Sequence, residues 1–100
     1  MYLVFWQYTV KATQVAQFLQ HYSEDGTWAK FFHQDEGYQG TKLFKDTEDS
    51  RQFLTIDRWN SKVQYEGFRS KHRDEYNRID LMCNELTEKE EFLGELENKT

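Results

Sequence analysis

Proline is absent from this chain of 100 residues, cysteine occurs once, and glycine only five times. A lone Cys83 excludes an internal disulfide and a cysteine-based zinc knuckle. With no linker-like, repeated or low-complexity stretch to divide it, the chain reads as one domain over residues 1–100. Runs of Lys and Arg are missing too, and the formal net charge is -5. Nucleic acid calls for a basic face, so that partner is not expected. No apolar run approaches the roughly 20 residues that cross a bilayer. The opening "MYLVFWQYTV" lacks the basic segment and small-residue cleavage site of a secretory signal. A cytoplasmic address without a membrane partner is the expectation. His21, His33 and His72 are scattered, with no Cys or carboxylate at ligand spacing, so no metal site is expected.

What the chain has in quantity is rings. Aromatic residues make up 17% of it, more than one small core needs. Each large ring removes much apolar area from water, so some are expected to line a pocket or a subunit interface.

Tyr2 to Val10, aromatic and β-branched with no turn former inside, reads as a buried strand. Thr13 offers an N-cap, and Val15, Phe18, Leu19 and Tyr22 form one apolar helical stripe. Gly26 stops this helix, and Thr27 caps a short turn carrying Trp28, Phe31 and Phe32. A second strand runs from Tyr38 to Lys45 and a third from Arg51 to Trp59, joined by the polar turn "DTEDS" as an antiparallel hairpin. Asn60 or Ser61 caps the next helix. Tyr65, Phe68, His72, Tyr76, Ile79, Cys83 and Leu86 then step by three or four residues, enough for about seven turns, with Ser70 as the place for a break. Thr87 closes it. "EEFLGEL" is a short fourth strand whose glycine marks a bulge or an edge.

The order β-α-(short α)-β-β-α-β is the split βαβ, ferredoxin-like α+β arrangement: a four-stranded antiparallel sheet with helices on one face. The bare face still carries apolar side chains, Leu54 and Ile56 among them. A homodimer in which two sheets close face to face is the expected solution.

The strand "GYQGTKLFKD", the strand-to-helix passage "FLTIDRWNSKVQYEGF" and the ending "ELTEKEEFLGEL" resemble the antibiotic biosynthesis monooxygenase-like proteins, which are dimeric α+β barrels. The resemblance covers nearly the whole chain. Its most specific piece is the Trp that ends the third strand, followed by Asn/Ser and a helix. It implies a pocket between helices and sheet. Some members oxidise aromatic polyketides with O₂ and no metal or flavin, while a neighbouring branch binds and degrades haem. That branch needs an Asn on the first strand and a His on the long helix. Here Gln7 is the only amide on the strand, and His72 falls too late after Trp59. No cofactor is therefore expected, and haem is disfavoured.

Asp57 and Arg58 are adjacent on a strand, so they face opposite sides of the sheet. Asp57 shares its side with Thr55 and Trp59, toward the helices. A carboxylate there acts either as a general base with a raised pKa or as the partner of Arg69, Arg73 or Lys30. Arg58 points with Leu54 and Ile56 into the dimer interface. His72 is either a second catalytic group or a structural histidine. Trp59 is a stacking wall or a core indole. Tyr76, Trp28, Phe68 and Tyr38 complete the expected substrate pocket, with Trp28, Phe31 and Phe32 as a lid on Gly26 or as a staple of the loop. The ligand expected is a small flat aromatic molecule, oxidised with O₂ or simply bound.

Overall fold

Alternation along the strands sets the two faces of the sheet. A computed structural model describes residues 1–99. In β1 (Tyr2–Val10), Tyr2, Val4, Tyr8 and Val10 are buried beneath the helices. In β3 (Gln52–Trp59) the corresponding residues are Phe53, Thr55 and Trp59. β2 (Tyr38–Lys45) and β4 (Thr87–Glu97) form the edges, giving the order β2-β3-β1-β4, antiparallel throughout. This is the ferredoxin-like α+β fold.

Four helices cover one face: α1 (Val15–Tyr22), α2 (Thr27–Phe32), α3 (Lys62–Lys71) and α4 (Arg73–Cys83). No helix among the described residues is long and apolar enough to cross a membrane. Ser61 caps α3, its hydroxyl accepting from the Gln64 N–H at 3.2 Å. The other expected caps are not formed. Thr13 lies inside a short 3₁₀ turn, Ala12–Gln14, that leads into α1. Thr27 donates or accepts sideways with His21 Nδ1 at 2.8 Å rather than capping α2. Gly26 precedes α2 as its cap residue. A Cβ there would meet the Gln20 carbonyl at 2.7 Å, so the close approach to α1 requires glycine.

The long helix is two helices. They part at His72, whose φ of -112° and ψ of 32° leave the helical region, two residues beyond the expected break at Ser70. The apolar stripe survives the junction, because Tyr65 and Phe68 on α3 and Ile79 and Cys83 on α4 are all buried. The His72 ring lies 4.5 Å from Phe68 and 6.0 Å from Phe31, which holds the corner. A 3₁₀ turn, Asn84–Leu86, then delivers the chain to β4, which starts at Thr87 and is longer than the expected "EEFLGEL". Gly94 pairs with Phe5 at a register shift that sets Phe92 opposite Trp6 and leaves Leu93 between them unpaired, and β4 is an edge, so both expectations for that glycine hold.

Rings make most of the core. Trp59, fully buried, packs against Phe32, Tyr38, Tyr65 and Phe68 at centroid distances of 5.3–5.5 Å. Phe18 stacks on Tyr22 at 4.3 Å. Trp28, Phe31 and Phe32 are buried with them, as the staple reading of that segment has it. On the uncovered face Leu3, Phe5, Leu54, Ile56 and Arg58 are half-buried, and Phe44 and Leu96 are exposed.

Candidate active site

Two side chains interrupt the burial of the helix-facing surface on the central strands: Trp6 on β1 and Asp57 on β3. Both border empty space. A chamber of about 30 Å³ lies between them and the helices, with Tyr8, Trp28, Thr55 and Tyr76 also in its wall. Next to it is an open cleft of about 520 Å³ along β1, β4, α3 and α4, walled by the rings of Tyr2, Trp6, Tyr65, Tyr76 and Phe92. Trp6, Tyr76, Asp80 and Glu90 line both spaces and stand between them.

Register explains how Asp57 acquires its partner. Asp57 stands opposite Val4 on one side and Thr41 on the other. The Thr41 hydroxyl donates to Asp57 Oδ1 at 2.6 Å. Having given its one hydrogen away, Thr41 accepts from the Tyr38 hydroxyl, which reaches its Oγ1. A chain of hydroxyls thus runs from Tyr38 through Thr41 to the carboxylate. Burial pushes the Asp57 pKa up to about 6, against the smaller opposing effect of the Thr41 hydrogen bond.

No cation neutralises this carboxylate among the described residues; the ion pairs there are Lys42–Glu24, Arg51–Glu88, Lys62–Glu95 and Lys89–Glu91. Arg69, one of the expected partners, lies over the ring of Tyr76 at 4.4 Å and donates to the Tyr65 hydroxyl at 3.2 Å. The Tyr76 hydroxyl is held well above its ordinary range, chiefly by burial, with Arg69 opposing. It is a neutral hydrogen-bonding group, not a base.

Of the residues singled out from the sequence, the fold brings Asp57, Trp28 and Tyr76 to one chamber and sets Tyr38 behind Asp57. Trp59 and Phe68 lie in the ring cluster beneath, outside the lining of chamber and cleft. His72 stands at the α3–α4 corner, away from Asp57. Arg58 is on the opposite face, its guanidinium donating to the Gln39 carbonyl at 2.8 Å across Gly40. Gly40 has a φ of 108° and a Cβ there would lie 2.8 Å from Arg58 Nη2, so this position needs glycine. The cleft and chamber contain no imidazole, thiol or thioether in their linings, and tyrosine hydroxyls are the only side chains there of a type that ligates haem iron. No cluster of three His, Cys, Asp or Glu suited to a metal occurs among the described residues.

Sequence reasoning passed over Trp6 and Thr41. Trp6 was within reach, since it alternates with Tyr2, Val4 and Tyr8. Thr41 was not. A register shift between Tyr38 and Gly40 places Thr41 on the same face as Tyr38, three residues away, where simple alternation would set them on opposite faces.

Among solved structures, the chain is similar to SnoaB, a cofactor-independent oxygenase from Streptomyces nogalater, with a TM-score of 0.80 at 15% identity, covering 99% of this chain and 93% of that one. It is also similar to a conserved protein from Methanosarcina mazei, with a TM-score of 0.73 at 15% identity, covering 98% of this chain and 92% of that one. At such identities the likeness is one of fold. No curated protein matches the sequence. The family model for antibiotic biosynthesis monooxygenase matches residues 1–77. That match spans β1 through the first turns of α4, including Asp57 and most of the chamber wall, and the chain therefore belongs to the antibiotic biosynthesis monooxygenase family.

Proposed function

We propose that this protein is a cofactor-independent monooxygenase whose substrate is a flat, hydroxylated aromatic molecule held in the cleft, with Asp57 as the general base. The observation that carries the reading is a carboxylate with no cationic partner, its pKa pushed up to about 6, at the wall of a chamber that adjoins an aromatic cleft. A base poised near neutrality is suited to taking a proton from a phenol or anthrone. The electron-rich carbanion that results can reduce O₂ directly. For an anthrone the sum is a ring methylene plus O₂ giving a ring carbonyl plus water. The substrate carbon supplies all four electrons, so no flavin or metal is required. Tyr76 and Trp28 wall the reacting group, and Tyr38 and Thr41 hold Asp57 in place. His72 has no part in this step, and Trp59 and Phe68 support the wall from behind.

Oxygen uptake with a panel of anthrones and quinols tests this reading. Turnover by the wild type that is lost in Asp57→Asn supports it; turnover unchanged in that variant refutes it. A second reading, a protein that binds a flat aromatic ligand without oxidising it, is favoured by the size and ring content of the open cleft alone. It predicts saturable quenching of tryptophan fluorescence and no product.

The working form in this proposal is a homodimer closed through the uncovered sheet face. Leu3, Leu96 and Arg58 lie side by side on that face, as do Phe5 and Ile56, and Leu54 with Phe44. Pairing two such faces removes apolar area from water on both. It leaves the cleft, on the helix side, open to ligand.

A further inference from the structure

We infer that Arg58 is a positioning residue for Asp57: from the uncovered face of the sheet it clamps a bulge in β2, and that bulge brings Thr41 and Tyr38 together on the helix face to hold the carboxylate. This deepens the reading of Asp57 as the base and rests on it. It gives a role in the site to a cation that points away from the cleft.

The register shows why a bulge is needed. Tyr38 pairs with Trp59 and Thr41 with Asp57, while Gln39 has no counterpart on β3. Trp59 and Asp57 are two residues apart and share a face. Tyr38 and Thr41 are three apart, and they share that face only because one extra residue lies between them. Without it, one of the two hydroxyls would turn to the other side of the sheet. The chain from Tyr38 through Thr41 to Asp57 Oδ1 would then be broken.

A bulge interrupts the ladder that keeps two strands in register, so the extra residue needs another tie. Arg58 stands opposite Gly40, and its Nη2 donates to the Gln39 carbonyl at 2.8 Å. That bond joins the bulged residue to the strand that carries Asp57, one position away. Gly40, with a φ of 108°, makes room for it, since a Cβ there would lie 2.8 Å from Nη2. Arg58 is half-buried and takes part in none of the ion pairs among the described residues. A cation so placed is costly unless hydrogen bonds engage it, and the bulge supplies an acceptor. The acid and its clamp thus occupy the two faces of one strand.

The effect on Asp57 follows from its surroundings. Tyr8 on β1, Tyr38 on β2, Tyr65 on α3 and Tyr76 on α4 each feel its charge. Asp80 on α4 and Glu90 on β4 share the chamber wall with it. No cation is among these groups. The Thr41 hydrogen bond is what opposes burial, so a loosened bulge leaves burial unopposed and the carboxyl holds its proton more tightly.

A double-mutant cycle read at the carboxyl isolates this role. The titration midpoint of the Asp57 side chain is followed by ¹³C NMR in the wild type, Arg58→Met, Thr41→Val and the pair. Thr41→Val is expected to raise the midpoint by about one pH unit or more, the tenfold or greater change in proton affinity that a hydrogen bond to a charged group supplies. Arg58→Met keeps a long side chain without a donor. It is expected to raise the midpoint as well, and to add nothing once Thr41 is valine. Gly40→Ala, which displaces the guanidinium from the other strand, is expected to act in the same direction and serves if Arg58→Met does not fold. An unmoved midpoint in Arg58→Met, or in Gly40→Ala where the first does not fold, overturns the inference. A rise that persists in full with Thr41→Val also overturns it, because Arg58 then acts by its charge across the sheet. Ile56→Lys, on the same face, controls for separation of subunits: a rise there equal to that of Arg58→Met assigns the effect to the interface and overturns the clamp. Because the readout is ionisation, absence of oxygen uptake refutes the proposed reaction and leaves the clamp standing.

Discussion

Replacing Asp57 with Asn should make the protein more stable at neutral pH while abolishing the chemistry proposed for it. The substitution keeps shape and an acceptor for the Thr41 hydroxyl, now 2.6 Å from Oδ1, and removes only the charge. Burial lifts the carboxyl from an ordinary 3.8 to about 6. At about 1.4 kcal/mol per tenfold change in proton affinity, keeping Asp57 ionised above pH 6 costs the native state about 3 kcal/mol relative to the unfolded chain. The new amide N–H groups need partners of their own, so the net gain is smaller, about 1–3 kcal/mol, or roughly 5–20 °C in Tm for a domain of this size. The pH dependence identifies the cause. Between pH 4 and 6 the native state holds a proton that the unfolded state has released, so this contribution to wild-type stability falls as pH rises through that window. Below it both states are protonated and the advantage of the variant disappears. Thermal unfolding by circular dichroism at pH 4 and pH 8 measures both limits. A variant less stable than wild type at pH 8, or an advantage of the same size at both pH values, would falsify the account of Asp57.

Other consequences can be measured as directly. If Asp57 is the base, kcat/KM for an oxidised anthrone rises with pH through about 6 and then levels; a profile with no inflection there contradicts that role. Ile56→Lys puts a charge on the uncovered sheet face beside Phe5. Sedimentation velocity is expected to show a dimer for the wild type and a folded monomer for the variant, and a variant that sediments as the wild type does refutes the proposed interface. His72→Ala removes ring contacts at the α3–α4 corner. It is expected to lower stability by about 1 kcal/mol with kcat/KM within about twofold of wild type, whereas a loss of a hundredfold would return His72 to the chemistry.

Element order was readable because the strands carry strong local patterns. Tyr2–Val10 and Tyr38–Lys45 emerge with the expected bounds, and β3 begins one residue later than expected, at Gln52. The apolar stripe from Tyr65 to Leu86 located the helical segment but not its division at His72, since a stripe of threes and fours survives a corner when the rings on both sides still point inward. Asp57 was legible as a helix-facing acid from its parity with Trp59. Its lack of an ion pair was not, because that depends on Arg69 lying over Tyr76 and Tyr65, a choice made in three dimensions. Trp59 shows the opposite case. An indole at a strand end suits a pocket wall and a core equally well, and only the rings around it decide. Thr41 was hidden by a bulge, which breaks the alternation on which strand reading relies.

A ¹³C NMR titration of the Asp57 side-chain carboxyl tests the central claim most directly, because base strength, the stability gain of the Asn variant and the pH profile all depend on one ionisation. The account predicts a midpoint close to 6. A midpoint near 4, the range of a solvated aspartate, would contradict it.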